Sequence, residues 1–324
     1  MNTARELKRK IEECELQHPL FVDLHNVLDA RIQDALQSDA ARIEWVVGPS
    51  RVGKSMMINT LARSYPEEKV AGKRRVPVLV VPISPSISPK LLPASVLLAL
   101  GLPLPARGMT SGIMGHRVRD QLRLANTRVV IFEEASHLVE PGARVAPRAA
   151  GDWFKSLADD LNMTLILFGV PRLEKLLESN EQLRFRASAK NELRPYDMGD
   201  QAHQQAFASC VRAYVDLFKG SGWPIDIPFK DIVLHCYLLS GGLIGIVSRF
   251  MQELASLMRR EPARPINLMD CRKAATNIEG VGHPKFSAFY EEEVSTVALH
   301  AVHALVLEIN GMALPKHREV RRMK

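Results

Sequence analysis

No two cysteines in this chain stand close enough to form a metal knuckle: Cys14, Cys210, Cys236 and Cys271 are scattered, with no Cys-x-x-Cys. That spacing argues against a zinc site and leaves reduced, structural thiols, as in a cytoplasmic protein. No apolar run approaches the roughly 20 residues that cross a bilayer, so no membrane partner is expected. The opening Met1-Asn2-Thr3-Ala4-Arg5-Glu6 lacks a signal-peptide core. No internal repeat is visible, which removes solenoids and propellers. What remains is a chain of 324 residues, 46 % hydrophobic and 24 % charged, an ordinary globular composition with room for a substantial core. A formal charge of +7 points to a polyanionic partner only where the basic residues gather.

The most informative stretch is Gly48-Pro49-Ser50-Arg51-Val52-Gly53-Lys54-Ser55, which fits a phosphate-binding loop without a mismatch. Its two glycines allow a tight turn that points successive amides into one concave site. The helix expected from Lys54 adds the positive end of its dipole. Lys54 is placed to reach the β- and γ-phosphates of ATP, and the Ser55 hydroxyl to take one position on Mg²⁺.

The flanks agree with this reading. The apolar run Ile43–Val47 precedes the loop, and further apolar runs at 76–83, 128–132 and 163–168 read as strands buried on both faces. Helical spacing lies between them, at about 54–64, 89–100, 115–125 and 149–161, which argues for a parallel sheet with right-handed crossovers. Residues 1–40 read as helices broken at His18-Pro19. Residues 82–115 carry six prolines around one apolar helix, a loop length that commonly serves function. Beyond about 197 the pattern is wholly helical, at 199–219, 228–240, 243–260, 267–277 and 286–309. These divisions give a helical segment at 1–40, a nucleotide-binding core at 41–197 and a helical lid at 198–282. A helix and basic tail fill 283–324, where Lys316, Arg318, Arg321, Arg322 and Lys324 crowd the end.

The run Val129-Val130-Ile131-Phe132-Glu133-Glu134 supplies the acidic strand end that such a loop requires. The first acid holds Mg²⁺ and the second polarises the attacking water. The first acid is usually Asp; Glu133 is longer by one methylene. Further on, Arg184 and Arg186 lie in Glu181-Gln182-Leu183-Arg184-Phe185-Arg186, before a short strand at 192–194.

Taken in order, these motifs resemble an AAA+ ATPase, and more closely the TniB/TnsC type of transposition regulator. The likeness also rests on Asp152-Trp153-Phe154-Lys155-Ser156-Leu157, Leu167-Phe168-Gly169-Val170-Pro171 and Ser240-Gly241-Gly242-Leu243-Ile244-Gly245. It implies an α/β AAA+ P-loop NTPase core, with N-terminal helices and a C-terminal all-helical lid. It also implies an ATPase that oligomerises as a ring or helical filament on duplex DNA and links a target-selection protein to the transposase. In that resemblance Arg186 acts in trans on a neighbour's γ-phosphate, and DNA contact falls to basic residues, with Lys90, Arg107, Arg117 and Arg119 as candidates. Three further positions depart from the pattern: Ala187 follows Arg186, Val170 stands where a hydroxyl is common, and Ile246 replaces a basic residue that Arg249 offers one turn later. Nucleotide binding and assembly are therefore expected ahead of fast turnover. The alternatives are a nucleotide-dependent protein-recruiting switch without DNA, and a helicase-loader-type ATPase.

Overall fold

The computed structural model describes residues 3–14, 19–37, 42–104, 110–278, 286–290 and 293–314. Contacts divide the chain into two compact units: Leu20–Ser50 with Lys54–Leu193, and Met1–Pro19 with Arg51–Gly53 and Arg194–Lys324. Helix α1 (Thr3–Glu12) belongs to the second unit, and α2 (Pro19–Leu36) to the first. His18 and the basic tail lie outside the described residues.

The first unit is α/β. After α2 come β1 (Ile43–Val47), α3 (Lys54–Ser64), the exposed hairpin β2 (Glu68–Val70) and β3 (Lys73–Arg75), and β4 (Val78–Pro82). Then follow α4 (Leu91–Ala99), α5 (Ser111–Leu124), β5 (Val129–Glu133), α6 (Pro147–Leu161) and β6 (Thr164–Gly169). The unit ends with α7 (Glu174–Glu178), α8 (Glu181–Arg186) and β7 (Asn191–Glu192). Short 3₁₀ turns at Ala135–Val139 and Pro171–Leu173 follow β5 and β6.

The main sheet runs β4-β5-β6-β1-β7, and all its pairings are parallel. Such strands lie under helices on both faces, which is why β6 is buried throughout and its sequence is an apolar run rather than an alternating one. Phe132, Leu165 and Leu167 from the strands pack with Val118 and Leu122 of α5 and with Phe154 and Leu157 of α6. Phe132 meets Phe154 edge-on, ring centroids 4.9 Å apart. Each such buried side chain contributes about 1.5–3 kcal/mol. Strand order reverses at β1, so the carboxyl ends of β5, β6 and β1 sit side by side, the place where open parallel sheets bind ligands.

Elements differ from the sequence pattern where local chemistry overrides apolar spacing. Helix α5 starts four residues earlier than the spacing suggests because Thr110 caps it, its Oγ1 accepting the Ile113 N–H at 3.3 Å. The β2–β3 hairpin was not expected; its residues carry no alternation, and Ala71 and Gly72, both at positive φ, set the turn. The polar stretch at 181–186 is helical, capped by Asn180, whose Oδ1 accepts the Leu183 N–H at 2.9 Å.

The second unit is helical. It contains α9 (Gln201–Gly220), α10 (Phe229–Ser240), α11 (Ile244–Leu257), a 3₁₀ turn at Met258–Arg260, α12 (Leu268–Ile278) and α13 (Thr296–Ile309). Helix α1 packs on α9 and α11. The helix expected over 286–309 begins only at Thr296. Ser295 caps it, and upstream Phe289 turns at φ 64° with its ring stacked on His235 and Phe250. The turn between α10 and α11 requires glycine: at Gly242 φ is +91°, and an added Cβ would lie 2.2 Å from Tyr196 O. Among the described residues no single helix is long and apolar enough to cross a membrane.

Candidate nucleotide-binding site

The loop 48–55 leaves the end of β1, and the Gly48 N–H donates to Gly169 O at the end of β6 (3.1 Å). Gly53 has φ +114°, a conformation L side chains rarely adopt, and Arg51 is left-handed at φ 69°. These turns fold the loop back over the start of α3. Lys54, the first residue of α3, is buried, and its Nζ donates to Gly48 O (2.9 Å) and Pro49 O (3.0 Å). Burial lowers its pKa, opposed by the carboxylates of Glu134 and then Glu133. A lysine held in this way is a fixed cation ringed by loop backbone.

Ser55 Oγ donates to Glu133 Oε1 at 2.6 Å. The loop hydroxyl and the strand acid, distant in sequence, therefore meet at one point. Two hard oxygen donors at this spacing, beside a fixed ammonium, fit Mg²⁺ with a polyphosphate, a pairing that suits a cation preferring oxygen ligands. Glu133, although longer than Asp, reaches the hydroxyl directly. Glu134 next to it is a non-glycine residue in the left-handed region, φ 55° and ψ 39°, and its side chain makes no capping hydrogen bond. Such a conformation costs about 1–3 kcal/mol. It turns the chain off β5 into the 3₁₀ segment Ala135–Val139.

Ser136 was missed by the sequence reading. It is buried beside the end of β6, and its Oγ accepts the Val170 N–H at 3.4 Å, which places a hydroxyl next to Val170. In the helical unit Ile246 is buried and Arg249 exposed. Gly245 N–H donates to Arg51 O at 2.9 Å.

Arg186 closes α8, with its side chain 46 % exposed and Nη1 2.7 Å from Asp159 Oδ1 on α6. Arg184 instead lies over the ring of Phe185, 5.6 Å from its centroid. Among the DNA candidates, Lys90 is exposed at the head of α4 and Arg117 is half-buried on α5. Arg107 lies outside the described residues. Arg119 requires a correction. Its side chain is only 16 % exposed, and it donates to Asp160 Oδ2 (2.7 Å), Ser156 Oγ (2.7 Å) and Gly115 O (3.0 Å), bracing α5 against α6 rather than facing solvent.

The family model described as "Bacterial TniB protein" matches residues 19–195, more than half of the chain. The chain belongs to the TniB family. No curated protein sequence matches it. Solved structures similar to this TniB-family chain include the CDC6P protein of Pyrobaculum aerophilum, with TM-score 0.61 and 11 % identity over 95 % of this chain and 85 % of that one. The Aeropyrum pernix ORC2 protein in its ADPNP–ADP complexes gives TM-score 0.58 and 13 % identity over 82 % and 68 %. The Aeropyrum pernix ORC1 protein in complex with DNA gives 0.56 and 13 % over 95 % and 82 %. At such identities the likeness is one of fold, an α/β P-loop core of the AAA+ type accompanied by helices.

Proposed function

We propose that this TniB-family protein is an ATP-hydrolysing regulator of DNA transposition. It assembles as a ring or helical homo-oligomer on duplex DNA and links a target-selection protein to the transposase. The observation that carries the reading is the 2.6 Å contact between Ser55 and Glu133 beside the buried Lys54, within a chain of this family.

In this reading the core 41–197 binds ATP, the helices 198–282 act as its lid, and 283–324 add a helix and basic tail. Lys54 and the loop amides hold the β- and γ-phosphates. Ser55 and Glu133 would hold Mg²⁺, which when bound would neutralise charge on the phosphates. Glu134 orients and polarises the attacking water, and Arg186 of a neighbouring copy stabilises charge on the γ-phosphate. Bound ATP thus completes a subunit interface and hydrolysis releases it, so the nucleotide works as a switch. DNA contact is made to phosphates and is insensitive to sequence. Lys90 and Arg117 are the candidates among the described residues, and Arg107, outside them, is a third. The similar fold of the Aeropyrum pernix ORC1 protein, solved in complex with DNA, supports duplex DNA as the partner.

The test is retention of random-sequence duplex DNA with and without a slowly hydrolysed ATP analogue, at graded salt. Retention should require the analogue, and log affinity should fall linearly with log salt by about 0.9 per phosphate contacted. Nucleotide binding without DNA retention at any salt would favour a protein-recruiting switch. Loading of a helicase would favour the loader reading.

A further inference from the structure

We infer that Asp159 is a positioning residue for Arg186: its carboxylate fixes the guanidinium that serves a neighbouring copy's nucleotide site. This rests on the trans role proposed above for Arg186.

Helix α8 is only six residues long, too short to hold itself. It is seated on α6 through a single stripe, 148, 152, 155 and 159, whose spacing of four, three and four places all four residues on one helix face. At the head of α8, Asn180 Nδ2 donates to Arg148 O (3.1 Å) and to Asp152 Oδ1 (2.8 Å). Asn180 lies so close to Gly151 that a Cβ there would come within 2.9 Å of it. In the middle, Lys155 Nζ donates to Gln182 Oε1, and Leu183 is buried. These contacts secure the backbone of α8 before its last residue. Asp159, at the end of the stripe, makes its 2.7 Å ion pair with Arg186 alone among the α8 residues. Its work is therefore on the side chain rather than on the helix. An unpaired arginine at a helix end samples many rotamers. Ion-paired through Nη1 with 46 % of its side chain still open, it has fewer rotamers to sample while part of its planar fork stays accessible.

The test is Asp159→Asn in the full chain. ATP turnover on DNA should fall about tenfold, as expected when a charge-stabilising group loses its position. Affinity for a slowly hydrolysed analogue should be unchanged, and the melting temperature should move by no more than a few degrees, because a half-exposed ion pair contributes little to folding. Asp159→Glu, which keeps the charge, should retain more activity than Asp159→Asn. Asp159→Asn added to Arg186→Ala should cause no further loss. Mixing Asp159→Asn with Lys54→Ala subunits should restore turnover above that of Asp159→Asn alone, since a well-held arginine then faces a working pocket. If Arg186→Ala lowers turnover but Asp159→Asn leaves it unchanged or raises it, this inference fails while the trans reading stands. A double variant weaker than Arg186→Ala, or mixtures without recovery, also overturns it. If Arg186→Ala itself has no effect, the trans reading falls first.

Discussion

The proposed function gives Lys54 and Glu134 opposite duties, and their environments differ accordingly. Lys54 is buried and held on two backbone carbonyls, so it stays beside the loop as a fixed cation. Lys54→Ala removes that charge; affinity for an ATP analogue should fall by about 3 kcal/mol, more than a hundredfold, in a calorimetric titration. Unaltered affinity would mean that the loop binds something else. Glu134 sits in a left-handed conformation and makes no capping bond; the proposed function assigns it to the attacking water. Glu134→Gln is nearly isosteric but a poor base. It should keep ATP binding while slowing phosphate release by about 10²-fold or more. Release at the parental rate would move the catalytic role to another residue.

Among the secondary-structure elements, the close backbone approaches are the most vulnerable points. Gly242→Ala would place a Cβ 2.2 Å from Tyr196 O at a φ of +91°. It should cost about 2–4 kcal/mol in denaturant unfolding; a cost under 1 kcal/mol would show that the α10–α11 turn rearranges freely. The loop 48–55 and the acids Glu133 and Glu134 were legible in the sequence because their chemistry is local: a fixed spacing on one side, an apolar run ending in carboxylates on the other. Strands β1, β4, β5 and β6 were legible because burial leaves a nearly unbroken apolar run in each. The hairpin β2–β3 was not legible, since its exposed, charged residues show no period and only Ala71-Gly72 marks the turn. Arg119 was misread for a different reason. Its partners Ser156 and Asp160 lie on another helix, and nothing in the neighbouring sequence announces them. The pairing of Asp159 was not legible either, because its partner Arg186 is brought to it by α8.

For the chain as a whole, the proposed function couples nucleotide, copy and DNA. In that proposal the site takes an arginine from a neighbouring copy, Arg186, which in its own subunit lies 2.7 Å from Asp159. A protein built in this way should remain dispersed without nucleotide and assemble when the pocket is filled, because each filled pocket creates the anion that the next copy's Arg186 recognises. ATP binding, not DNA alone, should drive assembly. Negative-stain microscopy with duplex DNA, with and without a slowly hydrolysed ATP analogue, tests it most directly. Rings or filaments on DNA should form with the analogue, be absent without it, and be lost in Arg186→Ala. Assemblies of equal abundance with and without the analogue, or none in either case, would contradict the account.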